Sequence, residues 1–98
     1  MDYKVKWSKS MYKIKKGFII RKIGAQVMAV PTGKMTSEIH GMIALSESGE
    51  LLWNALENGA EPETLADILV ENYEVEYETA LADAKKFVEG LEKQGVLE

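Results

Sequence analysis

The chain contains no cysteine and a single histidine, and this excludes several kinds of reactive centre. Without thiolates it forms no disulfide, iron–sulfur cluster, thiolate zinc site or cysteine nucleophile. The histidine, His40, has no cysteine partner, and Glu38 two residues away does not have the helical spacing of a metal-binding pair. The sequence therefore predicts no metal and no other cofactor. A chain without thiols also fits the reducing cytoplasm.

Long hydrophobic runs are also missing. No run approaches the roughly 20 apolar residues that cross a bilayer, and the charged N-terminus lacks the apolar core of a signal peptide. Hydrophobic residues still make up 46% of the 98 residues, enough for one modest core. We therefore predict a cytoplasmic chain without membrane association. Residues 1–11 are predicted to be an extension, flexible or an extra strand, and residues 12–98 to form the domain.

Acidic residues are rare in the first third of the chain, and basic residues are rare in the rest. Residues 1–34 carry nine Lys or Arg and one acid, a net charge of +8. Residues 35–98 carry three Lys and fifteen acids, a net charge of −12, so that the whole chain has −4. Such asymmetry is typical of an interaction surface. It is equally consistent with attraction between basic strands and acidic helices inside one domain.

Three short segments rich in β-branched and apolar residues predict strands at residues 17–23, 26–32 and 40–45. Only Gly24 and Ala25 separate the first two segments, and a two-residue loop with glycine first favours a tight hairpin. The second strand should end near its proline, which lacks the N–H that a ladder needs. Residues 32–38 are rich in turn formers and are predicted to be a loop.

Three helices are predicted after the strands. Ser46 is a suitable N-cap for the first helix, which should end at Gly59. Pro62 opens the second helix, which should run to about Tyr73. Residues 76–94 form the third, with apolar residues along one broad face. This order predicts an α+β domain, a small winged-helix-like fold with a three-stranded antiparallel sheet followed by three helices.

Catalytic motifs are missing as well. The segment from Gly33 to Glu38 contains Gly-Lys but lacks the glycine spacing of a phosphate-binding loop. The carboxylates are scattered over helical faces rather than paired in a cleft, and Ser46 is explained by capping. The sequence therefore favours a protein that is not an enzyme.

Winged-helix proteins often bind DNA, but the charge of the helices argues against it here. From Pro62 to Gly95 the chain has three lysines and nine acids, which phosphates would repel. Single-strand binding by the basic N-terminal part, with Tyr3, Trp7 and Tyr12 stacking on bases, stays open as the alternative function.

The third predicted strand is unusual because residues 42–45, Met-Ile-Ala-Leu, are apolar on both faces. One face should pack on the core. The strand should also have a free edge, without the lysine, proline or bulge that usually protects one. The third helix is then expected to cover the other face, with Ala80 and Ala84 leaving a groove beside the strand. A free edge beside an apolar groove would receive an extended peptide; the alternative is an ordinary core buried by the protein's own helices.

Three blocks of sequence resemble the PqqD-like family, the recognition elements of ribosomally made, modified peptides. They are KIKKGFIIRKI (13–23), GMIALSESGELLWNAL (41–56) and NYEVEYETALADAKKFVEGLEKQGVL (72–97), in the family's order and spacing. The resemblance implies a non-catalytic peptide chaperone. Such a protein binds the leader segment of a precursor peptide as a strand added between its third strand and third helix. It then presents the peptide to a radical SAM (SPASM-type) enzyme, in a PQQ or another peptide pathway.

The resemblance also implies which residues bind the peptide. They lie on the third strand (His40, Met42, Ile43, Ala44 and Leu45) and on the third helix (Ala80, Asp83, Ala84 and Phe87). Asp83 matches an acidic position of the family, although a solvated surface role explains it equally. Phe87 and Leu45 are alternatively pure core residues.

The N-terminal extension lies outside this resemblance. Its residues Tyr3, Val5 and Trp7 alternate with lysines, as in a strand. It would pair with the open edge, in cis or across a homodimer, and a domain that dimerises through this edge is the third hypothesis.

Overall fold

The described part of the chain, residues 11–98 of a computed structural model, contains three strands and four helices. They are β1 (Phe18–Ile23), β2 (Gln26–Pro31), α1 (Met35–Glu38), β3 (Ile43–Leu45), α2 (Glu47–Glu57), α3 (Pro62–Asn72) and α4 (Tyr77–Lys93). The strands form one antiparallel sheet in the order β1-β2-β3. The predicted α+β class, a three-stranded sheet followed by helices, is confirmed. The strand pattern of residues 3–7 lies outside the described residues.

Local sequence signals set most element boundaries. Ile23 pairs with Gln26 across the two-residue loop, where Gly24 has a φ of +65°, a conformation that favours glycine. The Ser46 side chain accepts a hydrogen bond of 3.0 Å from the Gly49 N–H and caps α2. Pro62 lies in the first turn of α3. No helix of residues 11–98 has the length and hydropathy needed to cross a membrane.

The loop prediction for residues 32–38 is wrong in its second half, where α1 forms a single helical turn. The hydroxyls of Thr36 and Ser37 donate to the carbonyl oxygens of Gly33 and Lys34, at 2.7 and 2.8 Å. Met35 is buried beneath this turn. The hydroxyl residues of this segment favour turns, which is why its composition predicted a loop. The burial of Met35 depends on tertiary packing and could not be predicted from composition.

The sheet has one face on the core and one face directed away from it. Phe18, Ile20, Val27 and Ile43 alternate onto the inner face and pack against the core, which includes the buried Leu45. The opposite side, which we call the outer face, is formed by the alternate residues Ile19, Arg21, Ile23, Gln26, Met28, Val30 and Ala44.

Trp53 of α2 is at the centre of the core and is fully buried. Its ring meets Phe18 of β1 edge-on, with ring centroids 5.4 Å apart. The chain end closes the core: Val96 is fully buried, and Leu97 forms an antiparallel bridge with Ile14. The helices and the sheet therefore share a single core.

Candidate functional site

The outer edge of β3 is unpaired within residues 11–98. β3 lies at one end of the sheet and pairs only with β2, where Leu45 lies opposite Val27 and Ile43 opposite Ala29. In an antiparallel ladder every second residue directs its N–H and C=O away from its partner strand. The outer edge of β3 therefore offers hydrogen-bonding groups to a further strand.

β3 is shorter than predicted, with three residues rather than the range 40–45. Gly41 has a φ of +94°, which ends any extended run before Met42, and Ser46 caps α2 directly after the strand. His40 and Met42 precede β3 and are exposed. They flank the edge rather than belong to it.

The two faces of β3 have different surroundings. Ile43 is half-buried and Leu45 is buried, and both face the core. Ala44 faces the opposite way and is exposed. The expectation that the third helix, α4, covers this second face is therefore wrong, because α4 packs on the same core as Leu45.

α4 places the predicted residues in two environments. Ala80 and Ala84 are fully buried in the core, so their small side chains allow close packing of α4 but present no surface. Asp83 is exposed and Phe87 is half-buried, and both line a groove beside β3. The structure thus brings Asp83 and Phe87, but not the two alanines, to an accessible surface.

This groove has a volume of about 640 Å³ and lies between the first turn of α2, the end of α3 and the middle of α4. We call it the helical groove. Its lining comprises Ser46, Glu47, Ser48, Gly49, Leu52, Leu69, Tyr73, Val75, Asp83, Lys86 and Phe87. Since Ser46 follows the last residue of β3, the groove begins where the strand ends. The apolar groove therefore adjoins the C-terminal end of β3.

Gly49 connects the strand to the groove. A Cβ at this position would lie 3.4 Å from Cε1 of Phe87 and 3.9 Å from Cβ of Leu45. Without that side chain, the Phe87 ring packs against the first turn of α2, next to the end of β3. Phe87 is therefore the α4 residue that lies beside both the strand and the groove.

Polar groups surround the apolar lining of the groove. Glu47, Asp83 and Lys86 carry charges, and Tyr73 adds a hydroxyl. Partial burial and then the Glu47 carboxylate raise the pKa of Tyr73 above its usual value of 10.0. The Tyr73 hydroxyl therefore stays neutral at physiological pH and available as a hydrogen-bond donor.

Sequence reasoning missed several of the groove residues. Lys86 could have been predicted, because Asp83, Lys86 and Phe87 have the i, i+3, i+4 spacing of one helical face. Tyr73 was predicted as the end of the second helix, and Val75 follows it in the connection to α4. No local signal places these two side chains opposite α2, because that position depends on how α3 packs.

The chemistry of the site is that of backbone pairing and apolar contact. Among residues 11–98, no group of three or more His, Asp or Glu side chains is arranged to hold a metal ion. The predictions that the chain needs no cofactor and is not an enzyme remain predictions. An open strand edge next to an apolar groove suits an extended peptide segment.

The chain is similar to known proteins in sequence and in structure. Residues 26–97 match the family model of coenzyme PQQ synthesis protein D (PqqD). The fold is similar to that of a solved structure of TbiB1 in complex with the TbiA(beta) leader peptide, with a TM-score of 0.68 and 24% sequence identity. That match covers 88% of this chain and 94% of the other chain. No curated protein matches the chain significantly by sequence.

Proposed function

Because this chain belongs to the PqqD family, we propose that it binds the leader segment of a ribosomally made precursor peptide. The leader pairs with the outer edge of β3 as a fourth strand. The chain then presents the peptide to a radical SAM (SPASM-type) maturase without contributing a catalytic group. The observation that carries the proposal is the unpaired edge of Ile43–Leu45, which ends at the helical groove.

The structural match supports a peptide as the ligand. TbiB1, whose fold is similar to that of this chain, was solved with a leader peptide. The acidic helices argue against the alternative of nucleic-acid binding, because α3 and α4 would be repelled by phosphates. The family match and the charge distribution together favour a peptide over DNA or RNA.

The strand edge and the helical groove contribute differently to the free energy of leader binding. A three-residue edge supplies only a few backbone hydrogen bonds, each worth about 0.5–1.5 kcal/mol net. Ordering each leader residue costs about 1–2 kcal/mol, which offsets that gain. Affinity must therefore come from apolar leader side chains, at about 1.5–3 kcal/mol for each one buried. In this proposal β3 sets the register of the peptide, and the helical groove selects its side chains.

The predicted site residues have different roles in this proposal. Ile43, Ala44 and Leu45 contribute their backbone groups, while Asp83 and Phe87 contribute side chains to the groove. His40 and Met42 flank the paired segment. Ala80 and Ala84 act indirectly, because their burial holds α4 close to the core.

Titration of the isotope-labelled chain with a synthetic leader, followed by amide chemical shifts, tests the proposal. We expect the largest shifts at residues 43–45 and at Asp83–Phe87, with smaller shifts on α3. A leader of the same composition in scrambled order is the control and should leave these amides unchanged. An absence of shifts at β3 contradicts leader binding there. Shifts on residues 13–23 with single-stranded DNA would favour the alternative, and shifts that depend on protein concentration alone would indicate a homodimer.

A further inference from the structure

The outer face of the sheet is largely apolar, with Arg21 and Gln26 as its polar members, where an antiparallel sheet facing water is usually polar. Ile19 and Ile23 are 40% and 52% exposed, and Met42, next to β3, is 52% exposed. The strand register places Ile19 beside Val30, and Met28 between Arg21 and Ala44. Apolar side chains therefore continue across all three strands, from β1 to the open edge of β3.

The outer face lies in the basic part of the chain. Residues 13–34 contain six Lys or Arg and no acid. Arg21 lies on the outer face itself and is exposed, whereas Lys22 alternates to the opposite side of β1. Within residues 11–98, Arg21 does not lie within ion-pair distance of a carboxylate, whereas Lys15 lies 3.7 Å from Glu38. Arg21 is therefore available to a partner.

We propose that the outer face docks a second protein, whose contact surface is apolar and carries an acidic group opposite Arg21. A second copy of this chain fits poorly, because the outer face has no carboxylate, so face-to-face pairing would leave Arg21 without a partner. An acidic group on a different protein would instead pair with Arg21. The maturase named under the proposed function is the candidate partner, so this inference rests on that function.

The position of the outer face explains why such a partner would meet the leader. Ala44 belongs both to the outer face and to the edge that the leader would extend. A protein docked on the outer face therefore lies beside the added strand, on the opposite side from the inner face and the core. The leader and the partner protein would occupy adjoining surfaces rather than compete for one.

Two single substitutions with matched controls test the docking surface. Ile19→Thr removes exposed apolar area and keeps a β-branched residue, and Val70→Thr on α3 is its control because Val70 is equally exposed, at 39%. Arg21→Glu reverses a charge on the outer face, and Lys85→Glu on α4 makes the same change elsewhere. The binding of each full-length variant to the purified radical SAM maturase of the same precursor is measured by calorimetry, and its leader affinity is measured separately.

We expect Ile19→Thr and Arg21→Glu each to weaken maturase binding about tenfold. The two controls should stay within about twofold of the wild-type chain, and all four should bind the leader normally.

Unchanged maturase affinity in both outer-face variants overturns the inference. A parallel loss of leader affinity overturns it too, because the outer face would then belong to the leader site. It is equally overturned if the variants instead abolish self-association in sedimentation equilibrium, or binding to phosphatidylglycerol vesicles. Failure of the wild-type chain to bind leader would reject the proposed function independently.

Discussion

Replacement of Phe87 by alanine is expected to weaken leader binding about ten- to a hundredfold. Phe87 is half-buried, lines the helical groove and lies beside Leu45 across Gly49. Removing its ring takes away apolar surface that a leader side chain would cover, and burial of one large side chain is worth about 1.5–3 kcal/mol. That range corresponds to about ten- to a hundredfold in the dissociation constant. Calorimetric titration with the leader measures the effect.

Leu81→Ala is the matched control for this experiment. Leu81 is on the same helix and is also half-buried against the core, but it does not line the groove. We expect this variant to lose folding stability and to keep its leader affinity within about twofold. Equal losses of leader affinity in the two variants would mean that α4 acts only through its packing, and the groove would have no direct role.

Trp53→Ala should lower the free energy of unfolding by about 3–5 kcal/mol. Trp53 is fully buried and packs edge-on against Phe18, which connects α2 to the sheet. Its indole N–H also donates to a carboxylate oxygen of Glu57 at 3.2 Å. Small domains have only about 5–15 kcal/mol of stability in total, so this loss is a large fraction. Urea unfolding followed by circular dichroism measures it.

Trp53→Phe keeps part of the packing. This variant keeps an aromatic ring against Phe18, but loses the donor to Glu57 and the extra volume of the indole, so we expect less than half of the alanine effect. If Trp53→Ala costs under about 1 kcal/mol, the contact between sheet and helices does not depend on this ring. The described core would then be held together mainly by its leucines.

Local signals predicted much of the fold, because they act within a few residues. Gly24 between β1 and β2, the Ser46 cap and Pro62 at the start of α3 all lie where expected. Gly95 has a φ of +78° and follows the end of α4, next to residue 94, where the third helix was predicted to end. In each case the backbone or a neighbouring side chain determines the boundary, so no tertiary information is needed.

Tertiary packing explains what the sequence did not reveal. The segment from His40 to Leu45 is apolar enough for a longer strand, but the conformation of Gly41 separates His40 from the extended residues, and β3 has only three residues. Ala80 and Ala84 were expected to line a groove, and α4 instead turns both into the core. Helical spacing shows that Ala80 and Ala84 share a face of α4. It does not show whether that face packs on the core or lines the groove.

The structure brings together only part of the predicted site. Asp83 and Phe87 of α4 line one groove next to the end of β3, and their role in peptide binding stays a prediction. The contribution of Tyr73 and Val75 was missed, because α3 must pack before its end can face α2. The exposed outer face was also missed, because apolar character alone does not distinguish a covered surface from an open one.

Nuclear Overhauser contacts between the labelled chain and an unlabelled leader test strand addition most directly. We predict backbone-to-backbone contacts from Ile43–Leu45 to consecutive leader residues, in the pattern of adjacent strands, together with side-chain contacts to Phe87. If the bound leader instead contacts only helical side chains, or lies on β1, it does not add a strand to β3.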